Sequence, residues 1–156
     1  MGPGESWASE GPDELAARLR EQTACDRPEA VATSGLVAYR GDEPVGWCAV
    51  APRPVHLRIL RNNRVPWDGR NEDKSDESVW AVTCFLTRAG YGRQGISHAL
   101  AVAAVDFARA RGARAIEGYP DLVEGGYVGT RETFAQAGLI EINRPTKRKL
   151  VMRLAF

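Results

Sequence analysis

Apolar residues recur with two different periods along the first part of the chain. Residues 12–23 place apolar side chains at helical spacing behind Pro12, which predicts a short amphipathic helix. Residues 36–40 and 45–51 are rich in β-forming side chains and flank the turn Gly41-Asp42-Glu43-Pro44. The pattern therefore predicts one helix followed by an antiparallel hairpin.

The pattern in the middle of the chain predicts a strand, a helix and a strand in succession. Residues 79–87 are almost continuously apolar, as is typical of a central strand covered on both faces. A glycine-rich turn spans residues 90–95, and apolar side chains then recur at helical spacing until Gly112. Residues 115–119 form a short apolar run, so we expect a βαβ unit with parallel strands.

The remaining segments are less regular. Residues 55–60 predict a helical turn, and the composition of the polar residues 61–77 predicts a mobile loop. Residues 129–137 predict a helix, and residues 139–142 and 149–156 predict two further strands. The chain has 156 residues, so we expect a single domain whose residues 1–11 are flexible.

Composition limits the kinds of binding partner and the cellular compartment that we expect for this protein. The 21 basic residues nearly balance the 20 acidic ones, which argues against a nucleic acid or a membrane as partner. Cys25, Cys48 and Cys84 form no C-x-x-C pair, so we expect reduced thiols and no metal site. For His56 and His98 we expect a surface or packing role. The amino terminus lacks the apolar core of a signal peptide, which predicts a cytoplasmic protein.

The turn from Gly90 to Ser97 has the features of an anion site. It stands where a strand gives way to a helix, so several backbone N–H groups converge at the positive helix end. As an alternative, the glycines would only allow a tight turn and close packing of the helix, with no role in binding. A nucleotide P-loop is excluded, because Ile96 stands where that loop needs its phosphate-binding lysine.

A dinucleotide-binding, Rossmann-like protein is the second interpretation of the same turn. Gly90, Gly92 and Gly95 match G-x-G-x-x-G, and Glu117 lies near the end of the next strand, where a ribose-binding acid belongs. The preceding hairpin and the short chain after Glu117 disfavour this interpretation, because a dinucleotide fold needs further βαβ crossovers.

Five stretches of the chain resemble the GNAT superfamily of N-acetyltransferases in order and spacing. Residues 84–88 (CFLTR) and 95–100 (GISHAL) resemble the strand and the coenzyme A loop, and residues 46–53, 117–120 and 131–139 reinforce the likeness. The resemblance extends from about Gly35 to Phe156. It implies an α/β fold with a mixed central sheet. In it, antiparallel amino-terminal strands precede a parallel βαβ unit that binds coenzyme A, and helices cover both faces.

The resemblance also implies where acetyl-CoA, the co-substrate, binds. Its pyrophosphate would lie on backbone N–H groups of the loop and its pantetheine arm along the central strand, where an N–H near Leu86 would polarise the thioester. Arg88 and Arg93 would add positive charge near the phosphates, although each also fits a solvated surface arginine. The implied binding residues are Phe85, Leu86, Thr87, Arg88, Gly92, Arg93, Gln94, Gly95, Ile96 and Ser97.

Two side chains are expected to be catalytic. Glu117, on the strand that faces the coenzyme, is expected to act as base, with a structural hydrogen-bonding role as the alternative. Tyr127 is expected to serve as acid, with Tyr119 as the alternative, although a thiolate leaves with little help. Gly92, Ser97 and Phe134 depart from the family pattern, and Phe134 stands in the place of a frequent catalytic tyrosine.

These inferences predict an acetyl-CoA-dependent N-acetyltransferase in which an amine attacks the thioester directly. The acceptor is expected to be a small-molecule or peptide amine. A non-catalytic, acyl-CoA-binding GNAT-like domain is a further alternative. A homodimer is expected because the chain lacks an obvious first strand and would borrow surface from a second copy.

Overall fold

The structure is a computed structural model that describes residues 11–24, 26–27, 29, 35–61, 64, 66–123 and 126–156. The chain divides into two compact units, Met1–Ser34 and Gly35–Phe156. Most of the predicted flexible start, as well as Cys25, lies outside the described residues. The single-domain organisation stays a prediction.

Within the described residues, the first unit forms the helix α1 (Pro12–Thr23), with the predicted bounds. Pro12 lies in its first turn, where a missing backbone N–H removes no helical hydrogen bond. Asp13 and Glu14 lie at the positive end of the helix, where carboxylates are stabilising. Ala24 ends the helix in the left-handed region, with φ of 50°.

The second unit is built on a six-stranded mixed sheet with the order β1-β2-β3-β4-β6-β5. β3 and β4 pair in parallel, and the other neighbours pair antiparallel. The hairpin, the βαβ unit and the α/β fold class are thereby confirmed. The strands are β1 (Gly35–Arg40), β2 (Glu43–Pro52), β3 (Val79–Thr87), β4 (Ala115–Gly118), β5 (Ile140–Asn143) and β6 (Val151–Ala155), and the helices are α2 (Leu57–Arg61), α3 (Ile96–Ala110) and α4 (Arg131–Gln136).

This topology gives the dinucleotide-binding interpretation no support. A doubly wound fold joins several parallel strands through repeated crossovers, whereas β3 and β4 form the single parallel pair among the described strands. The other neighbour of β4 is β6, which runs antiparallel to it.

Side chains alternate between two apolar cores on the two faces of the sheet. One core packs α3 and α4 on the sheet and contains Val82, Phe85 and Phe134. The other contains Ala81 of β3, together with Trp67 and side chains from α2 and β6. Helices therefore lie on both faces, as the family resemblance implies, and β3 runs between the two cores.

A β-bulge interrupts the pairing of β3. Ala49 of β2 pairs with Cys84, and the next residue, Val50, pairs with Val82, so Thr83 is the extra residue on β3. The parallel pairing with β4 ends at the same place, with Val82 opposite Gly118. Among the described strands, none pairs with residues 83–87 on the side of β4; we call this side the open edge of β3.

Several boundaries differ from their predictions, and two of them lie near the carboxyl end of the chain. The helix predicted over residues 129–137 begins at Arg131, because the hydroxyl of Thr130 caps it by accepting a hydrogen bond from a first-turn N–H at 3.1 Å. The strand predicted over residues 149–156 is shorter and covers Val151–Ala155.

The polar residues 61–77 pack in part against the sheet. Pro66 is buried and Trp67 is only 5% exposed, and its indole N–H donates to the carbonyl of Ile59 at 3.0 Å. The mobility of this stretch stays a prediction.

Candidate functional site

The open edge of β3 carries backbone groups that no strand pairs. The N–H of Phe85 points to this edge and donates to the carbonyl of Tyr127 at 2.6 Å. The N–H of Arg88 points the other way and donates to Val45 of β2 at 2.9 Å. Because backbone groups alternate along a strand, Thr87 faces the open edge with Phe85, whereas Leu86 faces β2. The N–H groups that face a ligand here are therefore those of Phe85, which donates to Tyr127, and of Thr87.

The amino terminus of α3 lies beside the open edge. Gly95 precedes the helix with φ of 77°, and no side chain caps the first turn. The first turn contains no acidic residue, so the N–H groups of the turn retain their attraction for anions. The hydroxyls of Thr87 and Ser97 are 3.4 Å apart, which joins the strand end to the helix terminus.

The two predicted phosphate-binding arginines differ in their surroundings. Arg88 pairs with Glu43 at 2.6 Å, and the hydroxyl of Tyr91 donates to the same carboxylate at 2.5 Å. Arg93 is exposed in the glycine turn with φ of 59°, and it has no ion-pair partner within the described part of the chain. Of the two, Arg93 is therefore the guanidinium available to an incoming anion. Gln94 donates to the carbonyl of Gly90 at 3.3 Å and so braces the turn.

Glu117 lies at the centre of a buried charge cluster on the face opposite α3. Its carboxylate is fully buried and binds the guanidinium groups of Arg53, Arg70 and Arg153. The hydroxyl of Tyr119 donates to it at 2.8 Å. Burial, reinforced by this carboxylate, raises the pKa of Tyr119 well above its ordinary value.

Glu72 is the second carboxylate of the cluster. It pairs with Arg53 at 3.1 Å, with Arg70 at 3.0 Å and with Arg153 at 2.7 Å. Burial alone would raise the pKa of Glu72, but hydrogen bonds from Arg70 and Arg53 outweigh it and lower the pKa from 4.5 to about 2. The Arg53 guanidinium also lies 4.7 Å from the centre of the Trp67 ring.

The contacts of Glu117 are those of a structural, hydrogen-bonding carboxylate. One carboxylate oxygen accepts from Arg70 and Arg153, and the other accepts from Arg53, Arg70 and Tyr119. A general base must lie within hydrogen-bonding reach of the proton that it takes, directly or through one water. The role of Glu117 as base stays a prediction.

The other predicted catalytic residue, Tyr127, lies at the open edge. Its backbone carbonyl binds Phe85, and the residue as a whole is 69% exposed. Phe134 has a different place: it is 1% exposed and packs edge-on against the ring of Phe85, with ring centres 5.7 Å apart. Phe134 therefore supports β3 from the core, and the role of Tyr127 as acid stays a prediction.

Two further features are absent from the described part of the chain. It holds no helix with the length and apolar character needed to cross a bilayer. Among the described residues, no group of three or more His, Cys, Asp or Glu side chains could hold a metal ion.

Comparison with known proteins gives one family and one fold. The model of the acetyltransferase (GNAT) family matches residues 3–121. A GNAT-family protein from Desulfovibrio desulfuricans is 17% identical with a TM-score of 0.60, over 96% of this chain and 86% of that one. Ribosomal-protein-alanine N-acetyltransferase from Brucella melitensis is 15% identical with a TM-score of 0.53, over 92% of this chain and 78% of that one.

An aminoglycoside acetyltransferase solved with coenzyme A has the same fold. It is 16% identical with a TM-score of 0.53, over 78% of this chain and 65% of that one. No curated protein matches the chain in sequence. At these identities, the solved structures show a shared fold.

Proposed function

The chain belongs to the acetyltransferase (GNAT) family, a family of acyltransferases that use acetyl-CoA, and we propose that it moves the acetyl group to an amine that attacks the thioester directly. The acceptor is a small-molecule or peptide amine. The homodimer and the cytoplasmic location stay predictions.

The observation that carries the proposal is the contact between the open edge of β3 and the uncapped start of α3. Thr87 and Ser97 bring the two together at 3.4 Å. An extended amide-containing ligand with an anionic end suits this arrangement, because strand N–H groups bind its carbonyls and the helix terminus binds its phosphates. Acetyl-CoA has both parts.

The residues of the site fit that ligand. The N–H groups from Gly95 to Ser97 would hold the pyrophosphate, and the exposed Arg93 would add a positive charge to it. Arg88 would bind the pyrophosphate as well, either after release from Glu43 or while still bound to it, since a guanidinium has five donors.

Acetyl-CoA supplies the acetyl group as a thioester. The N–H of Phe85 or Thr87 on the open edge would donate to the thioester oxygen and stabilise the negative charge that develops there. Tyr127, whose carbonyl lies on the same edge, would present its hydroxyl to the leaving thiolate. Phe134 and Phe85 would fix β3 through their ring contact.

Release of coenzyme A thiol in the presence of a panel of small amines and peptide amino termini tests the proposal. Thiol release that depends on the amine, with an acetylated product found by mass spectrometry, would support it. Binding of acetyl-CoA without product across the panel would favour the non-catalytic alternative.

A further inference from the structure

The bulge in β3 turns Thr83 away from the α3 side of the sheet. Val82 and Phe85 both belong to the core under α3, and two residues separate them where a regular strand would have one. Thr83 and Cys84 are therefore both directed away from that core. Because the β3–β4 pairing ends at Val82, Thr83 stands at the start of the open edge.

His56 lies against this bulge. It precedes α2, and its carbonyl accepts a hydrogen bond from the N–H of Ile59 at 2.8 Å, which fixes the backbone. Its ring nitrogen Nε2 is 3.2 Å from the carbonyl of Ala81, and Nδ1 is 3.4 Å from the hydroxyl of Thr83. A carbonyl only accepts, so Nε2 carries the hydrogen and Nδ1 presents its lone pair to Thr83.

The surroundings of His56 favour the neutral ring. Burial lowers the pKa of His56 from 6.5, and the hydrogen bond to the Ala81 carbonyl offsets this only in part. The ionisable groups on the elements beside it are Cys84 of β3, Arg58 and Arg61 of α2, and Arg53. The two α2 arginines are exposed, and Arg53 is bound to Glu72 and Glu117.

We propose that the hydroxyl of Thr83 takes the proton of the acceptor ammonium and passes its own proton to Nδ1 of His56, so that His56 serves as the base through Thr83. This inference rests on the proposed acetyl transfer and names the proton path of the same site. Thr83 contacts the acceptor. His56 positions the Thr83 hydroxyl and takes up its proton. In this path the carboxylate of Glu117 is not the base and has a structural role only.

Atoms and charge are conserved in this step. The ammonium loses one proton to the Thr83–His56 pair, and its nitrogen lone pair forms a bond with the acetyl carbon. The bond between that carbon and sulphur breaks, and the electron pair leaves on the coenzyme A thiolate. The Tyr127 hydroxyl gives its proton to the thiolate and takes up the second proton of the nitrogen in its place, and His56 returns its proton to solvent.

The pH dependence of kcat/KM for the amine distinguishes this path from attack by amine that has already lost its proton in solution. In the natural chain, kcat/KM rises to a plateau with a midpoint below pH 6.5 and stays level up to the pKa of the amine. In His56→Gln, kcat/KM falls about 100-fold and rises with the free-amine fraction over the whole range. Thr83→Val behaves like His56→Gln, and Thr83→Ser restores the plateau.

Two measurements separate a failure of this inference from a failure of the proposed function. Calorimetry with acetyl-CoA is expected to give equal affinities for the natural chain and His56→Gln. If the natural chain forms product but His56→Gln keeps the plateau and most of its rate, the His56 path is overturned and the acetyl transfer stands.

Nitrogen-15 NMR of the His56 ring tests the tautomer and the protonation state that the inference requires, even if no amine is acetylated. The inference requires a neutral ring at pH 7 with hydrogen on Nε2, a midpoint of titration below 6.5, and a change in the Nδ1 signal in Thr83→Val. A ring with hydrogen on Nδ1, or a ring protonated at pH 7, would overturn it.

Discussion

The backbone N–H of Phe85 donates to the carbonyl of Tyr127 across 2.6 Å, just beyond the point at which β3 and β4 stop pairing. The chain thus satisfies, with its own backbone, a donor that the proposed thioester would use. Gly129 lies close by, and a side chain there would meet the rings of Phe85 and Phe134 at 2.8 and 2.9 Å. The residues that follow Tyr127 are therefore closely fitted to β3.

Acetyl-CoA binding is expected to replace the hydrogen bond between Phe85 and Tyr127. The amide of Phe85 should then be among the backbone signals that shift most in a nitrogen–proton NMR titration with acetyl-CoA. The amide of Ala115, which is buried in the sheet on β4, serves as the internal control. A saturated complex in which Phe85 does not shift would show that the ligand does not use the open edge.

A carboxylate at the start of α3 is expected to have opposite effects on stability and on binding. Ser97→Asp should raise the free energy of unfolding by about 0.5 kcal/mol, because a negative charge is favourable at a helix amino terminus. The same charge would repel the phosphates and weaken the binding of acetyl-CoA by about tenfold or more. Urea unfolding and calorimetry measure the two effects.

The matched control is Val102→Asp, which adds the same charge to the same helix at a position that is 38% exposed and away from its amino terminus. It should leave acetyl-CoA affinity nearly unchanged. Equal weakening by both variants would point to net charge, and no weakening by Ser97→Asp would rule out the helix terminus as the phosphate site.

Loss of the Glu117 charge is expected to destabilise the fold. Glu117→Gln leaves three guanidinium groups with one carboxylate fewer in a buried site, and removal of one partner from a buried ion network costs about 3 kcal/mol or more. Glu141→Gln, which breaks an exposed pair with Arg144, should change the free energy of unfolding little. Urea unfolding of both variants compares them. Equal, small effects would contradict the structural role of Glu117.

The cluster also predicts a dependence of stability on acidity. The pKa of Glu72 is lowered from 4.5 to about 2 in the folded chain, so the unfolded chain binds a proton there first as the pH falls. The contribution of Glu72 is therefore complete above pH 4.5 and is lost as the pH falls towards 2. Urea unfolding between pH 7 and 3 should show this loss, and Glu72→Gln should flatten the curve. Parallel curves for the two proteins would contradict it.

Local pattern predicted the scaffold well because its strands and helices are encoded by short-range periodicity. The apolar residues 79–87 became β3 with the predicted bounds, and the apolar spacing after Gly95 became α3. The glycine turn at the start of α3 is likewise predictable from the sequence, since the sequence shows both the glycines and the helix.

The arrangement at the sheet could not be predicted in the same way. The extra residue Thr83 depends on the register of β3 against β2, and no local signal in an apolar run marks it. The ion pair of Arg53 with Glu117 joins residues 64 positions apart. Glu72 lies in a polar stretch whose composition suggests solvated charges, whereas in the fold that carboxylate is held by three guanidinium groups.

Calorimetric titration of the purified chain with acetyl-CoA, with NADH in parallel, tests whether the open edge of β3 and the start of α3 bind an acyl-coenzyme A. We expect saturable binding of acetyl-CoA with one site per chain, weaker binding in Ser97→Asp, and no binding of NADH. Binding of NADH without acetyl-CoA, or of neither, would contradict the assignment of the open edge and the α3 terminus to an acyl-coenzyme A.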